Sequence, residues 1–219
     1  MLALKVVPEI LYFDTFEDFN EEFKLGKGDI LVTNEWMYTP YVKPLGIDIP
    51  VIFQEKYGKG EPSDEMIDAI AKDMKGYEYD RIVAFGGGTI VDICKILSLD
   101  LPEQSVKVFT KEVPAKKVKE LIVIPTTCGT GSEVTNVAVA ELKSLHVKMG
   151  LAVDETYADK AVLIPESLQG LPDYVFATSS IDALIHATES YLSPFASPQT
   201  ELFSLKAIEM IMNGYMQMI

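Results

Sequence analysis

Histidine and cysteine are scarce in this 219-residue chain, with two of each and a single tryptophan. Two imidazoles, His146 and His186, exclude any centre that needs three histidines from one copy. Cys94 and Cys128 stand in neither a zinc nor a redox spacing, and so few thiols suit a reducing compartment. Positive charge is short as well. Nineteen Lys and Arg face 33 Asp and Glu, a formal net charge of −14, so polyanions are repelled and neither nucleic acid nor an anionic membrane is expected as a main partner. No apolar run approaches the roughly 18 residues that a membrane helix needs. The start, MLALKVVPEILYFDTFEDF, lacks the apolar block of a secretory signal. The expectation is a cytoplasmic protein. What is present is ordinary globular material, 48% apolar and 24% charged, long enough for one large domain or two smaller ones.

Short apolar runs alternate with helical patterns, which predicts a parallel sheet with crossover helices. Residues 29–33, 50–53, 81–85 and 121–124 read as strands, and the last is apolar throughout and therefore central. Ser63 reads as an N-cap for a helix that carries Met66, Ile67, Ile70 and Met74 on one face and stops at Gly76. A further helix is expected over residues 90–99. Residues 137–140, 147–153 and 161–163 read as a hairpin and a return strand. After Pro165 the pattern becomes helical, over 172–178, 181–192 and 198–212, which places a domain boundary near residue 166: an α/β domain over 1–166 and the first helices of a second domain over 167–219. Two or three helices bury little apolar surface by themselves, so the helical part reads as unfinished at its C-terminus. Lys107, Lys111, Lys116, Lys117 and Lys119 read as a solvated basic loop, and His146 as an exposed turn residue.

Three segments carry chemistry. In the first, strand 81–85 runs into Gly86-Gly87-Gly88-Thr89-Ile90-Val91-Asp92 and a helix. Glycines at such a junction let backbone amides approach a phosphate, and the helix dipole favours the diphosphate. The pattern departs from GxGxxG, and no Lys-Ser/Thr follows it as in a P-loop. A plain tight turn with Thr89 as N-cap is the alternative. The second is Pro125-Thr126-Thr127-Cys128-Gly129-Thr130-Gly131-Ser132-Glu133-Val134-Thr135, placed after a central strand, where open α/β sheets bind ligands. Such residues also favour turns for backbone reasons alone. In the third, Asp182 and His186 are i and i+4 on one helix, with Glu189 at i+7 on the same side. A carboxylate and an imidazole make half of a site for a first-row divalent metal; an Asp–His hydrogen bond within the helix is the structural alternative.

GGGTIVDICK, PTTCGTGSEVT and DALIHATESYLS, in this order and separation, resemble the iron-containing (group III) alcohol dehydrogenase family. The resemblance extends from about Asp29 onward and takes in Glu61-Pro62 and SPFASPQTE; the wording ASPQTELFSLKAIE is most similar to its 4-hydroxybutyrate dehydrogenase branch. It implies a Rossmann-like nucleotide-binding domain followed by an all-helical metal-binding domain, an architecture shared with dehydroquinate-synthase-like enzymes. It also implies a hydride transfer between a primary alcohol and NAD or NADP. Gly86, Gly87 and Gly88 would cradle the pyrophosphate, with Thr89 and Asp92 in the same motif. Thr126, Thr127, Gly129, Thr130 and Ser132 would line the adenine and nicotinamide-ribose side, with Lys148 as a ribose contact. Asp182 and His186 would be two of four protein ligands to Fe2+, or to Zn2+ as in some relatives.

Two departures qualify these implications. Where the family carries Asp after the first strand, this chain has Asn34, so the choice between NAD and NADP stays open. The family's remaining metal ligands are later histidines, which this sequence does not contain. The chain alone is therefore expected to be weakly active or inactive. A non-catalytic nucleotide-binding fragment is the alternative. A homo-oligomer is expected, with small alcohols and aldehydes as its other partners.

Overall fold

The computed structural model describes residues 5–218. In chain order the strands and α-helices are β1 (Glu9–Tyr12), α1 (Phe16–Phe23), β2 (Gly28–Thr33), α2 (Glu35–Met37), β3 (Val51–Phe53), α3 (Asp64–Met74), β4 (Tyr79–Gly86), α4 (Gly88–Leu97), α5 (Val106–Phe109), β5 (Glu120–Pro125), β6 (Val137–Leu142), β7 (Val147–Ala152), β8 (Lys160–Leu163), α6 (Asp173–Leu192) and α7 (Pro198–Gln217). Two compact units form. One comprises residues 7–126 and 132–169; the other holds the loop 127–131 and everything described from 170 onward, together with Lys5 and Val6.

The first unit is built on a parallel six-stranded sheet in the order β1-β8-β5-β4-β2-β3, with β6 and β7 as a separate antiparallel pair. Each parallel strand needs a crossover, and the two faces are covered by different elements. On β4, Ile82 and Ala84 belong to one buried cluster with Ile67, Ile70, Ile90 and Ile93, while Val83 and Phe85 join Phe16, Phe19 and Ile124 in another. A strand buried on both sides has no polar face to offer, which is why residues 121–124 read as an unbroken apolar run. Phe16 stacks 4.9 Å from Phe85, and Phe19 lies 5.5 Å from Phe16.

The N-caps behave as their residues dictate. The Ser63 hydroxyl accepts the amide of Met66 at 3.3 Å at the start of α3, and Thr15 forms a capping box with Asp18 on α1. Helix α4 begins two residues before the expected start, with Gly87 as its N-cap and no capping side chain. Thr89 is thus inside the helix, and its hydroxyl donates to the Gly60 carbonyl at 3.1 Å. His146 sits in the turn between β6 and β7 with φ at 54°.

In the second unit α6 and α7 pack side by side, and Tyr215 donates to the Ser180 hydroxyl at 2.8 Å. The break expected between residues 178 and 181 is absent, because the local hydroxyls satisfy themselves within the helix. Thr178 donates to the Tyr174 carbonyl at 2.8 Å, Ser179 to that of Phe176 at 3.3 Å and Ser180 to that of Ala177 at 3.2 Å, so the turn never needs to open. Helix α7 starts from Ser197, which forms a capping box with Thr200, and carries Pro198 in its first turn. Among the described residues no helix is long and apolar enough to cross a membrane.

Candidate functional site

The sheet order sets the stage for the first motif. Phe85 of β4 is paired with Thr33 of β2, which is paired with Phe53 of β3. Residues 86, 34 and 54 therefore stand in succession along the carboxyl edge of the sheet, where open α/β sheets take ligands. The glycines at this edge divide their work. Gly86 ends β4 in close contact with α4: a Cβ there would lie 2.4 Å from Ile90 Cδ1. It is glycine for helix–strand packing. Gly87 has ordinary extended backbone, with φ at −75° and ψ at −177°, and Gly88 begins the helix. Neither places a side chain over the first turn of the helix, whose amides have no capping side chain.

Thr126 follows β5 directly. Its amide donates to the Gly86 carbonyl at 3.1 Å, tying the second motif to the first. The Thr126 side chain is fully buried, and among the described residues its hydroxyl oxygen has no hydrogen-bond partner. A buried hydroxyl left without a partner costs about 1–3 kcal/mol.

Other residues of the same motifs serve the fold. The two oxygens of Asp92 accept from the Ser132 hydroxyl at 2.7 Å and from the Val139 amide at 3.0 Å. Asp92 thereby anchors α4 to β6, with Ser132 as one of its partners. Lys148 lies on β7 in an ion pair of 2.7 Å with Glu61; more than half of each side chain is exposed, and a pair of that kind adds little stability. Asn34, at the end of β2, donates its amide to Glu55 Oε2 at 3.1 Å.

Sequence reasoning passed over Lys95. It is fully buried, three residues beyond Asp92 in the helix sequence GTIVDICKIL. Its ammonium donates to Ser132 Oγ at 2.8 Å, to the Val137 carbonyl at 2.7 Å and to Thr135 Oγ1 at 3.4 Å. Burial pushes the amine down to about 8, against the opposing pull of Asp92 and Glu133. A lysine within so apolar a helix was the available signal. Burial also pushes the Cys94 thiol well above its ordinary range, which leaves it inert. The lysine-rich loop is likewise paired in part: Lys117 meets Asp159 at 2.6 Å, and Lys119 donates to the Tyr79 carbonyl.

Thr127, Gly129 and Thr130 belong to the helical unit. A Cβ on Gly129 would stand 2.5 Å from the Ser179 carbonyl oxygen, and Cys128 Sγ lies 3.4 Å from Ser179 Oγ. The loop is thus fitted to α6. Further along that helix His186 Nε2 is 3.8 Å from Asp182 Oδ1, with 53% and 45% of the two side chains exposed. Both face solvent from the same side. Glu189 is exposed, and among the described residues no group of three or more His, Cys, Asp or Glu is placed to hold a metal ion. The donor chemistry of the pair suits Fe2+ or Zn2+; two donors fall short of the usual three or four.

Comparison with known proteins adds independent findings. Residues 8–165 match the iron-containing alcohol dehydrogenase family, and residues 176–219 match the C-terminal region of the Fe-containing alcohol dehydrogenase family. The chain is 57% identical over 219 residues to 4-hydroxybutyrate dehydrogenase of Clostridium kluyveri, covering all of this chain and 59% of that protein. It is 35% identical over 153 residues to sulfoacetaldehyde reductase of Bilophila wadsworthia, covering 69% of this chain and 40% of that one. The chain thus spans well under two thirds of the length of these curated relatives. Among solved structures, sulfoacetaldehyde reductase from Bifidobacterium kashiwanohense in complex with NAD+ superimposes with a TM-score of 0.83 at 23% identity, over 96% of this chain and 59% of that one. Iron-containing alcohol dehydrogenase from Thermococcus thioreducens gives 0.77 at 26% identity, over 95% and 59%.

Proposed function

Because this chain belongs to the iron-containing alcohol dehydrogenase family, we propose that it forms the nicotinamide-binding part, and the opening of the metal-binding part, of an alcohol dehydrogenase. The substrate class is a primary alcohol, with 4-hydroxybutyrate the first to try given the relative from C. kluyveri. The observation that carries the reading is the buried, partnerless Thr126 hydroxyl beside a glycine-capped helix N-terminus. Dinucleotide phosphates ask for this combination of unblocked amides, a helix dipole and a spare hydroxyl. Gly87 and Gly88 admit the pyrophosphate, Thr126 donates to the nucleotide, and Gly86 holds β4 and α4 together behind them. The nicotinamide coenzyme, when bound, accepts the hydride that the alcohol carbon gives up.

Asp182 and His186 are the residues of this chain proposed to hold a divalent metal, Fe2+ or Zn2+, whose contribution is to polarise the alcohol oxygen. Their half-exposed placement leaves both donor atoms accessible. The exposed Leu192, Phe195, Phe203 and Met216 of the helical unit support a homo-oligomeric reading. The scarcity of cysteine supports a cytoplasmic one.

Two experiments test this. Gly87→Val places a branched side chain at the N-cap; NAD(H) affinity is expected to fall at least tenfold while the melting temperature moves by no more than a few degrees. Unchanged affinity in the folded variant removes the phosphate assignment. The second is steady-state oxidation of 4-hydroxybutyrate and simple diols by the 219-residue chain with NAD and added Fe2+. With two donors and, among the described residues, no third beside them, turnover is expected to be weak or undetectable, and brisk turnover would refute the ligand count. A nucleotide-binding module without catalysis is the second reading, favoured by the missing third donor among the described residues. It is the one to adopt if the coenzyme binds and metal does not.

A further inference from the structure

At the carboxyl edge of the sheet, the side chain beyond the strand next to the phosphate turn is the one that reads the adenosine ribose in dinucleotide-binding folds. There an acidic group accepts from the 2′-hydroxyl and repels a 2′-phosphate. Here that residue is Asn34, which is neutral. It is not alone. Asn34 Nδ2 donates to Glu55 Oε2 at 3.1 Å, and the Glu35 amide donates to Glu55 Oε1 at 2.7 Å. Both carboxylate oxygens of Glu55 are thus pinned by N–H donors at the same edge, one strand further along, 21 residues away in sequence.

We infer that Glu55 is the positioning residue that makes this chain select NAD over NADP, acting through Asn34. The inference rests on the dinucleotide reading above. The chemistry has two parts. An asparagine amide offers two donors on one side and an acceptor on the other. With one of its N–H groups held by Glu55, the Asn34 amide is fixed in orientation, and the acceptor it offers a ribose hydroxyl is Oδ1, as it would be for an aspartate. A 2′-phosphate brings no proton for that acceptor. It also faces the Glu55 charge behind the amide, and juxtaposed like charges disfavour binding. Without Glu55 the amide is free to turn over and offer its NH2 group to the phosphate.

The test uses the 219-residue chain and its single tryptophan. Trp36 is 51% exposed and two residues from Asn34, so quenching of its emission reports nucleotide binding at this edge. NADH and NADPH are titrated against the unaltered chain, Glu55→Gln, and the double variant Asn34→Asp with Glu55→Gln. The unaltered chain is expected to favour NADH by about tenfold or more, Glu55→Gln to shrink that ratio by about tenfold, and the double variant to restore it. A purely structural role for Glu55 would weaken both nucleotides together and leave the ratio where it was. An unchanged ratio in Glu55→Gln therefore overturns the inference while the dinucleotide reading stands. Should the single variant not fold, failure of the double variant to favour NADH overturns it equally. Binding of neither nucleotide by the unaltered chain overturns the dinucleotide reading and this inference with it.

Discussion

Lys95→Met is expected to destabilise the chain by about 1–3 kcal/mol, the range for leaving buried polar groups without their hydrogen-bond partner. The methionine fills similar volume and replaces none of the donors. The Val137 carbonyl and the Ser132 hydroxyl lose bonds of 2.7 and 2.8 Å, and Asp92 loses the cation 3.8 Å from its carboxylate. At about 2–4 °C per kcal/mol for a chain of this length, the melting temperature should drop by roughly 2–12 °C. Differential scanning calorimetry measures it, and a loss below about 1 kcal/mol would show that Lys95 is replaceable. The same residue gives a signed pH effect. Its folded-state value of about 8 lies below its ordinary 10.5. Between those values the unfolded chain binds more protons, so raising the pH favours the folded chain, whereas below about 8 the penalty is present in full. Urea titrations at pH 7.5 and 9.5 should show the gap between the unaltered chain and Lys95→Met widening at the higher pH.

The second large effect is expected from a single methyl group. Gly129→Ala directs its Cβ at the Ser179 backbone, 2.5 Å from the carbonyl oxygen and 3.1 Å from the carbonyl carbon and Cα. Helix α6 cannot move one carbonyl without disturbing the hydrogen bonds around it, so the loop 127–131 must lift. Overpacking of this kind costs about 1–3 kcal/mol. Gly86→Ala is the informative contrast. There the closest atom is the tip of the Ile90 side chain at 2.4 Å, which can rotate away, and Ile90 Cβ at 3.0 Å need give by only a few tenths of an ångström. Comparing the two melting curves checks the reasoning: a milder loss in Gly129→Ala than in Gly86→Ala would mean that the loop yields more easily than a side chain.

The two predictions draw on residues that were read very differently from sequence. Strands β2, β4 and β5 were legible because burial on both faces leaves an apolar run with no polar alternation to confuse it. The glycine turn and the Asp182–His186 pair were legible because a strand end or a helical spacing places them locally. Family membership, read from three spaced motifs, is shown by the match over residues 8–165. What escaped was mostly long-range. The tie from Glu55 to Asn34 joins the ends of two strands, and nothing in a carboxylate 21 residues on announces it. Strand β1 has four residues and, at its place on the sheet edge, exposes Ile10 and Tyr12, so its pattern resembles that of a loop. Asp92 looked like a ligand because it sits in a coenzyme motif; only the fold shows its oxygens spent on Ser132 and Val139. The join at Thr178, Ser179 and Ser180 was misread because hydroxyl residues break helices or live inside them according to where their protons go.

The pairing of β1 with β8 bears on how the molecule is made. Glu9 is in register with Lys160, so the first strand has no place in the sheet until the last has been synthesised. At about 5–20 residues per second the ribosome needs roughly 8–30 s to cover that interval. Through it the apolar Ile10 and Leu11 wait without a neighbour, while β2, β3, β4 and β5 can already associate. Contacts so distant along the chain slow the approach to the native state, and β1 is the strand of this sheet that waits longest for its partner.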